Sequence, residues 1–293
     1  MSFKKELLKE KAITFVVAVN KRDVLEKNLM ASPCLVNPHP HQILLQENFS
    51  SAAEAYNDAI DKSVNDLIVF CHQDMFFPRP WISQLQRTLD RLGTRDPKWG
   101  VLGCSGVTGD GEYRGYVYSS GVGMIGAPSE PAEVQTLDEI VLILRKSSGL
   151  RFDEGLRHFH LYGADICLRA AMRGMKSYAI SVVCIHNTYQ NYNLPNEFFE
   201  CCEYVRRVWR ASLPIQTTCI RITGSNIPIY LRRLKQIYFK HIRRKEYEVF
   251  RAEDVTQVFE ELSRRAQTSD HALFLALSEG GEVSASAVVL RHL

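Results

Sequence analysis

Short apolar runs in this chain end in polar groups of types that bind ligands or move protons. Asn20 follows AITFVVAV, Gln46, Glu47 and Asn48 follow QILL, His72, Gln73 and Asp74 follow DLIVFC, and His186 follows YAISVVCI. In open α/β sheets ligands collect at the carboxyl ends of buried strands, so these four ends mark candidate cleft residues. Asp74 and His186 bring a carboxylate oxygen and an imidazole nitrogen. That pair is enough to hold Mn²⁺ or Mg²⁺ if substrate phosphates and water complete an octahedron. Asp165, in HLYGADICLRAAMRG, lies near the start of a helix, where a carboxylate can act as general base on a hydroxyl. Each residue also has a plain reading: a polar loop residue, an Asp in a turn, a His satisfied by a carbonyl, a charge complementing a helix end.

The elements that must position these groups are legible from periodicity. Ala12 to Val19, Gln42 to Leu45, Asp66 to Cys71, Trp99 to Cys104, Val134 to Leu144 and Tyr178 to Ile185 read as strands. Helices are expected over Ser50 to Asn65, with Ser50 or Ser51 as N-cap, and over PWISQLQRTLDRL from Pro80. Further helices are expected over Ala164 to Arg173 and from Asn196 through FFECCEYVRRVWR. Strands alternating with helices imply α/β with a largely parallel sheet. The glycine-rich stretch Gly103 to Gly126 reads as hairpin and loop, and Asn187 to Asn196 as a loop able to close over a bound ligand.

Composition sets the frame. The 293 residues are 45% hydrophobic and 24% charged, values of a globular chain that exclude disorder, collagen and coiled coil. No run reaches the roughly 20 apolar residues of a bilayer crossing, and the start MSFKKELLKEKAITF lacks an apolar signal centre, so the expected location is cytoplasmic. Eight cysteines without a CxxC argue against a disulfide scaffold or zinc site. Net charge is +3, but Pro228 to Arg251 holds eight Lys/Arg against two Glu, +6, leaving about −3 elsewhere. From about residue 226 the composition shifts, so the expected division is a domain over 1–225 and a small, mostly helical accessory region over 226–293.

The order VVAVN, NFSSAAEAYNDAI, DLIVFCHQDMFF, the Trp81 helix, FDEGLRHFHLYGADICLRAAMRG and a strand ending CIH resembles family 2 glycosyltransferases of GT-A fold, over roughly residues 12 to 213. Within that family the chain resembles the streptomycin-biosynthesis type, with HQD in place of the usual acidic triplet. The resemblance implies a mixed sheet flanked by helices. It implies that Asp74 and His186 hold the metal, Mn²⁺ or Mg²⁺, that Asp165 is the catalytic base, and that Asn20, Glu47, Asn48, Ala53, Asn57, His72, Gln73 and Asp74 contact the nucleotide-sugar. Asp138 falls on the acceptor side. The implied reaction is an inverting transfer from a nucleotide-diphosphate sugar, a UDP-sugar as first guess, to a hydroxyl of a sugar or lipid-linked acceptor. The processive pattern QxxRW is absent, VRRVWR standing differently, which favours single transfer. A scaffolding protein of the same fold that binds nucleotide-sugar is the alternative, because His72 and Gln73 thin the acidic triplet.

Other signals carry less. Gly121 to Gly126 matches GxGxxG but precedes APSEP rather than a helix, and no P-loop exists. His158 and His160 have no accompanying ligand cluster. The basic stretch has apolar positions at 231, 234, 238 and 242. That stripe either packs on the domain, the preferred reading, or rests on anionic lipid, giving peripheral contact at the inner face of the membrane through residues 228–251. One basic patch does not make a nucleic-acid site.

Overall fold

The computed structural model describes residues 11–36, 38–120, 122–188, 194–241 and 251–268. The first half alternates strand and helix: β1 Thr14–Ala18, α1 Arg22–Lys27, β2 Gln42–Gln46, α2 Ala52–Lys62, β3 Leu67–Cys71, β4 Met75–Phe76 and α3 Trp81–Arg95. Then follow β5 Val101–Gly103, β6 Ser105–Val107, β7 Tyr113–Ser119, β8 Gly123–Gly126, β9 Ala132–Val134, β10 Thr136–Leu137 and β11 Val141–Arg145. The remainder is α4 Tyr162–Met172, β12 Ser177–Ala179, β13 Ile185–His186, α5 Asn196–Val208, β14 Ile215–Gln216, β15 Arg221–Ile222, α6 Ile227–His241 and α7 Val255–Thr268.

A seven-stranded sheet runs in the order β2-β1-β3-β11-β5-β12-β9. It is mixed rather than largely parallel. β1 is parallel to β2 and β3, whereas β11 is antiparallel to both β3 and β5. Alternation along the strands builds a core on each face. Val16, Phe70 and Leu142 point into the layer shared with α2, α4 and α5. Phe15, Val17, Val69 and Ile143 point into the layer with Trp81 and Leu85 of α3. The fold is therefore the mixed α/β sheet flanked by helices that the GT-A resemblance implies.

Two features bear directly on the cleft. A second sheet, β10-β6-β7-β13-β4, includes the antiparallel bridge His186↔Met75, which sets His186 beside the segment that carries Asp74. The expected single strand over 134–144 is broken, because Asp138 turns the chain by accepting from the Ile140 amide at 3.2 Å. Ser51 caps α2 as expected, accepting from the Glu54 amide at 3.2 Å. Asn196 does not cap α5, which begins at Asn196 itself; its Oδ1 accepts from Arg233 Nη2 at 2.6 Å. Gly123–Gly126 is a strand paired with β7, in keeping with the rejected dinucleotide motif. The cysteines among the described residues are all free thiols.

The basic helix α6 is anchored by buried Ile229, but Tyr230, Leu231, Leu234 and Ile237 are exposed, so the stripe is not packed on the domain as expected. Position 242 lies outside the described residues, as do 189–193 of the expected closing loop, the chain start and the tail from 269. No helix among the described residues is long and apolar enough to cross a membrane.

Candidate functional site

At the carboxyl ends of β1, β2 and β3 lies a cavity of about 660 Å³. Among its lining residues are Asn20, Glu47, Asn48, His72, Gln73 and Asp74, so the first three strand ends do converge. His186 joins them through the β13–β4 bridge. His72, Asp74 and His186 each present a ligand atom, and those atoms lie within 4.8 Å of one another. The two imidazole rings meet edge to face with centroids 5.6 Å apart, and His186 Nε2 is 3.3 Å from Asp74 Oδ1.

The electrostatics of this group keep its carboxylate ionised. Burial pushes the Asp74 carboxyl up, but His186, His72 and Arg251 outweigh it and hold Asp74 well below the ordinary carboxylate range. Burial lowers the His72 pKa, with Asp74 opposing, so at neutral pH its imidazole keeps a lone pair for a ligand. Two imidazoles and one carboxylate fit a divalent transition metal better than the single carboxylate and imidazole of the sequence reading. His72 thus stands with Asp74 and His186 as well as at the pocket wall.

Gln73 does different work. Its Oε1 accepts from the Asn20 and Lys21 amides at 3.2 and 3.0 Å, and its Nε2 donates to Asn20 Oδ1 at 2.6 Å. Only an amide can both donate and accept in this way, which is a physical reason for Gln where an acid would otherwise stand. Across the cavity Arg22 forms a bidentate pair with Glu47, at 2.9 and 3.0 Å. Asn48 takes φ 63°, a left-handed conformation that Asn tolerates and bulky residues do not.

Three expected residues are not brought to the cavity. Ala53 is buried in the core on the inner face of α2. Asn57 is spent on a loop: its Nδ2 donates to Phe152 O and Glu154 Oε1, each at 3.0 Å, and its Oδ1 accepts from the Phe152 amide. Asp165 is 1% exposed. Its Oδ1 accepts from Trp209 Nε1 and its Oδ2 from Arg169 Nε, both at 2.7 Å. Arg169 also pairs with Asp153, which accepts from Tyr204 at 3.0 Å, so the network ties α4 to α5. Burial raises the Asp165 pKa against Arg169 and Trp209.

Asp138 is partly buried and accepts from Thr218 at 2.6 Å. Its neighbour Glu139, which the sequence reading missed, sits at the start of α4. The amides of Leu161 and Gly163 bond to its carboxyl, while burial, then Asp138, pushes it up to about 8. Gly163 makes room: a Cβ there would meet Leu137 O at 2.6 Å and Glu139 Cγ at 3.3 Å. Arg22, Phe49, Phe159 and Tyr162 also line the cavity without having been foreseen. Of these, Arg22 and Phe49 carried a sequence signal, each following a strand end by a few residues.

A larger cavity, about 800 Å³, lies between the 155–158 segment and α5, with Arg157, Arg206, Arg207 and Arg210 in its wall. His72, Asp74 and His186 are not among its lining residues.

The profile described as glycosyltransferase like family matches residues 14–208. The chain belongs to that family. A Fuscovulum blasticum protein described as ATP synthase subunits region ORF 6 is 30% identical over 132 residues, 39% of this chain and 48% of that protein, so the match spans about half of that relative. Among solved structures, S. aureus TarS superposes with TM-score 0.44 at 14% identity, over 80% of this chain and 44% of that one. The mannosyltransferase PcManGT from Pyrobaculum calidifontis, in complex with GDP-Man and Mn²⁺, superposes with TM-score 0.41 at 13% identity, over 92% and 79%.

Proposed function

We propose that this chain transfers a sugar from a nucleotide-diphosphate sugar to a hydroxyl acceptor by one inverting displacement. The observation that carries the reading is the His72, Asp74 and His186 group at the wall of a strand-end cavity, in a member of a glycosyltransferase-like family. Asn20, Glu47, Asn48 and Gln73 hold the nucleoside, with Phe49 or Phe159 as a flat face for the base. Asp74, His186 and His72 hold Mn²⁺ or Mg²⁺. When bound, the cation offsets charge on the departing nucleoside diphosphate.

Asp165, expected as base, has both oxygens committed and no open face toward the cavity. In this reading it positions α5, and the acceptor side falls to Asp138 and Glu139 at the start of α4. The exposed row on α6, Tyr230, Leu231, Leu234 and Ile237 beside Arg232, Arg233 and Lys235, supports contact with an anionic membrane surface and suits a lipid-linked acceptor. A division at about residue 225 is kept as part of the proposal.

The test is a thermal-shift panel of UDP, GDP, dTDP and CMP with and without Mn²⁺, on wild type and Asp74→Ala. A ligand at about 100 times its Kd stabilises by roughly 2.7 kcal/mol, a visible shift. A Mn²⁺-dependent shift with one nucleotide, lost in Asp74→Ala, is the expected result. A flat panel removes the reading. The placement of Asp165 also favours a second one, a nucleotide-sugar-binding scaffold. Binding without transfer from any donor to any acceptor would select it.

A further inference from the structure

Arg251 reaches the cation group from the far end of the chain. Its Nη2 lies 3.1 Å from Asp74 Oδ2, the oxygen that His186 leaves unused, and its Nε donates to Asn187 O at 2.9 Å. The approach is held by a reciprocal clamp. The Ala252 amide donates to Asn187 Oδ1 and Asn187 Nδ2 to Ala252 O, each at 2.9 Å, while the same Nδ2 reaches Asn28 Oδ1 at 2.7 Å. Asn187 is 1% exposed, and Val255 packs on Phe76 and Ile185 just beyond the clamp. Arg251 Nη1 makes no hydrogen bond among the described residues.

One carboxylate therefore serves two cations. Were Asp74 to hold a divalent ion, Arg251 would compete with that ion for the same carboxylate, and positive charges a few ångströms apart repel. Arg251 thus works against the ion when it binds alone. A diphosphate reverses the balance, because its negative charge satisfies both, and the planar guanidinium fork matches phosphate oxygens. We infer that Arg251 opposes the divalent cation at Asp74 until the donor arrives and then binds the donor's diphosphate, so that metal and nucleotide each require the other. The inference rests on the donor site proposed above.

Calorimetry on the full chain separates this role from simple anchoring of the tail, with Mn²⁺ alone, then UDP and GDP at saturating Mn²⁺, on wild type, Arg251→Ala and Arg251→Lys. The expected Arg251→Ala result has opposite signs: Mn²⁺ alone binds severalfold tighter, and the nucleoside diphosphate about tenfold or more weaker, the scale of a lost hydrogen bond to a charged group. Arg251→Lys recovers part of the nucleotide affinity. A merely structural Arg251 moves both affinities the same way or neither, and either result overturns the inference while leaving the donor site intact. Wild type that binds neither Mn²⁺ nor nucleotide overturns the donor site and Arg251's role together. Thermal unfolding of each variant, unchanged within a few degrees, confirms that the clamp at Asn187 persists.

Discussion

The indole N–H of Trp209 donates to Asp165 Oδ1 at 2.7 Å, while Arg169 donates to the other oxygen. This bond joins the end of α5 to the first turn of α4 through a carboxylate sealed from solvent. Asp165→Asn places an NH₂ against one of two donors and leaves a buried group unpaired, costing ~1–3 kcal/mol. For a domain of this size that lowers Tm by ~2–4 °C per kcal/mol. Trp209→Phe should cost a similar amount, and the double variant should cost less than the sum. A catalytic base behaves otherwise: Asp165→Asn would keep its Tm and lose only transfer rate, and that pattern would defeat the structural assignment.

Gln73 ties the ends of β1 and β3 by donating to Asn20 and accepting from two amides. Gln73→Glu keeps the acceptor but sets a carboxylate oxygen 2.6 Å from Asn20 Oδ1, where only a donor fits. The expected outcome is ~0.5–1.5 kcal/mol of lost stability and weaker nucleotide binding, despite restoration of an acid to the triplet. Urea unfolding and nucleotide titration check it. A Gln73→Glu protein as stable as wild type, with tighter Mn²⁺ binding, would show that the strap is dispensable.

Glu139 makes stability depend on pH in a definite direction. Its folded-state pKa, raised to about 8 mainly by burial, stands far above the ~4.3 of an unfolded Glu. Between those values the unfolded chain has released the proton that the folded chain retains. The unfolded state then binds fewer protons, so this group makes stability fall as pH rises from ~4.3 to about 8 and level off above. Glu139→Gln keeps an acceptor for the Leu161 and Gly163 amides and removes the titration. Its unfolding free energy should be flatter than wild type across that range, and parallel curves would refute the assignment.

His72 is the residue that the fold moved from one role toward another. If it is a cation ligand, His72→Ala weakens Mn²⁺ binding by about tenfold or more, at least as much as loss of an outer-shell partner. His186→Ala should do the same, and acid should weaken the wild type as protons compete with the cation for its ligands. Electron paramagnetic resonance of free Mn²⁺ measures all three. Unchanged affinity in His72→Ala would return that residue to the nucleotide wall alone.

Strand ends and helix faces were legible because each depends on local periodicity: the apolar runs before Asn20 and His72, the Ser51 cap, the Trp81 face, whereas the run expected as one strand over Tyr178 to Ile185 is divided between β12 and β13. The two-residue strand that sets His186 beside Asp74 is too short to have a pattern, yet the chain around it could be read because both partners end apolar runs. What local reading misplaces is partnership. Asn57 and Asp165 carry cleft-like chemistry, but Phe152 and Trp209, distant in sequence, claim their polar atoms. Arg251 is equally invisible in advance, since its spacing from Asp74 has no local period. Phe159 and Tyr162 come to the cavity only through the turn that Leu161 makes at φ 62°.

The exposed row on α6 separates two readings of the basic region. Tyr230, Leu231, Leu234 and Ile237 stand open to solvent beside Arg232 and Lys235, while Arg233 turns to Asn196, and it is this row that the proposed membrane contact would use. Each basic residue near an anionic surface adds ~1 kcal/mol, and that attraction is screened over a Debye length of ~8–10 Å at ordinary salt. The chain should therefore float with phosphatidylglycerol vesicles, much less with phosphatidylcholine, and be released by high salt. Leu231→Glu combined with Leu234→Glu removes apolar contact and adds repulsion without touching the cleft, so flotation should be lost while nucleotide shifts persist. Flotation unaffected by that pair, or absent from wild type, would assign the row to a protein partner instead.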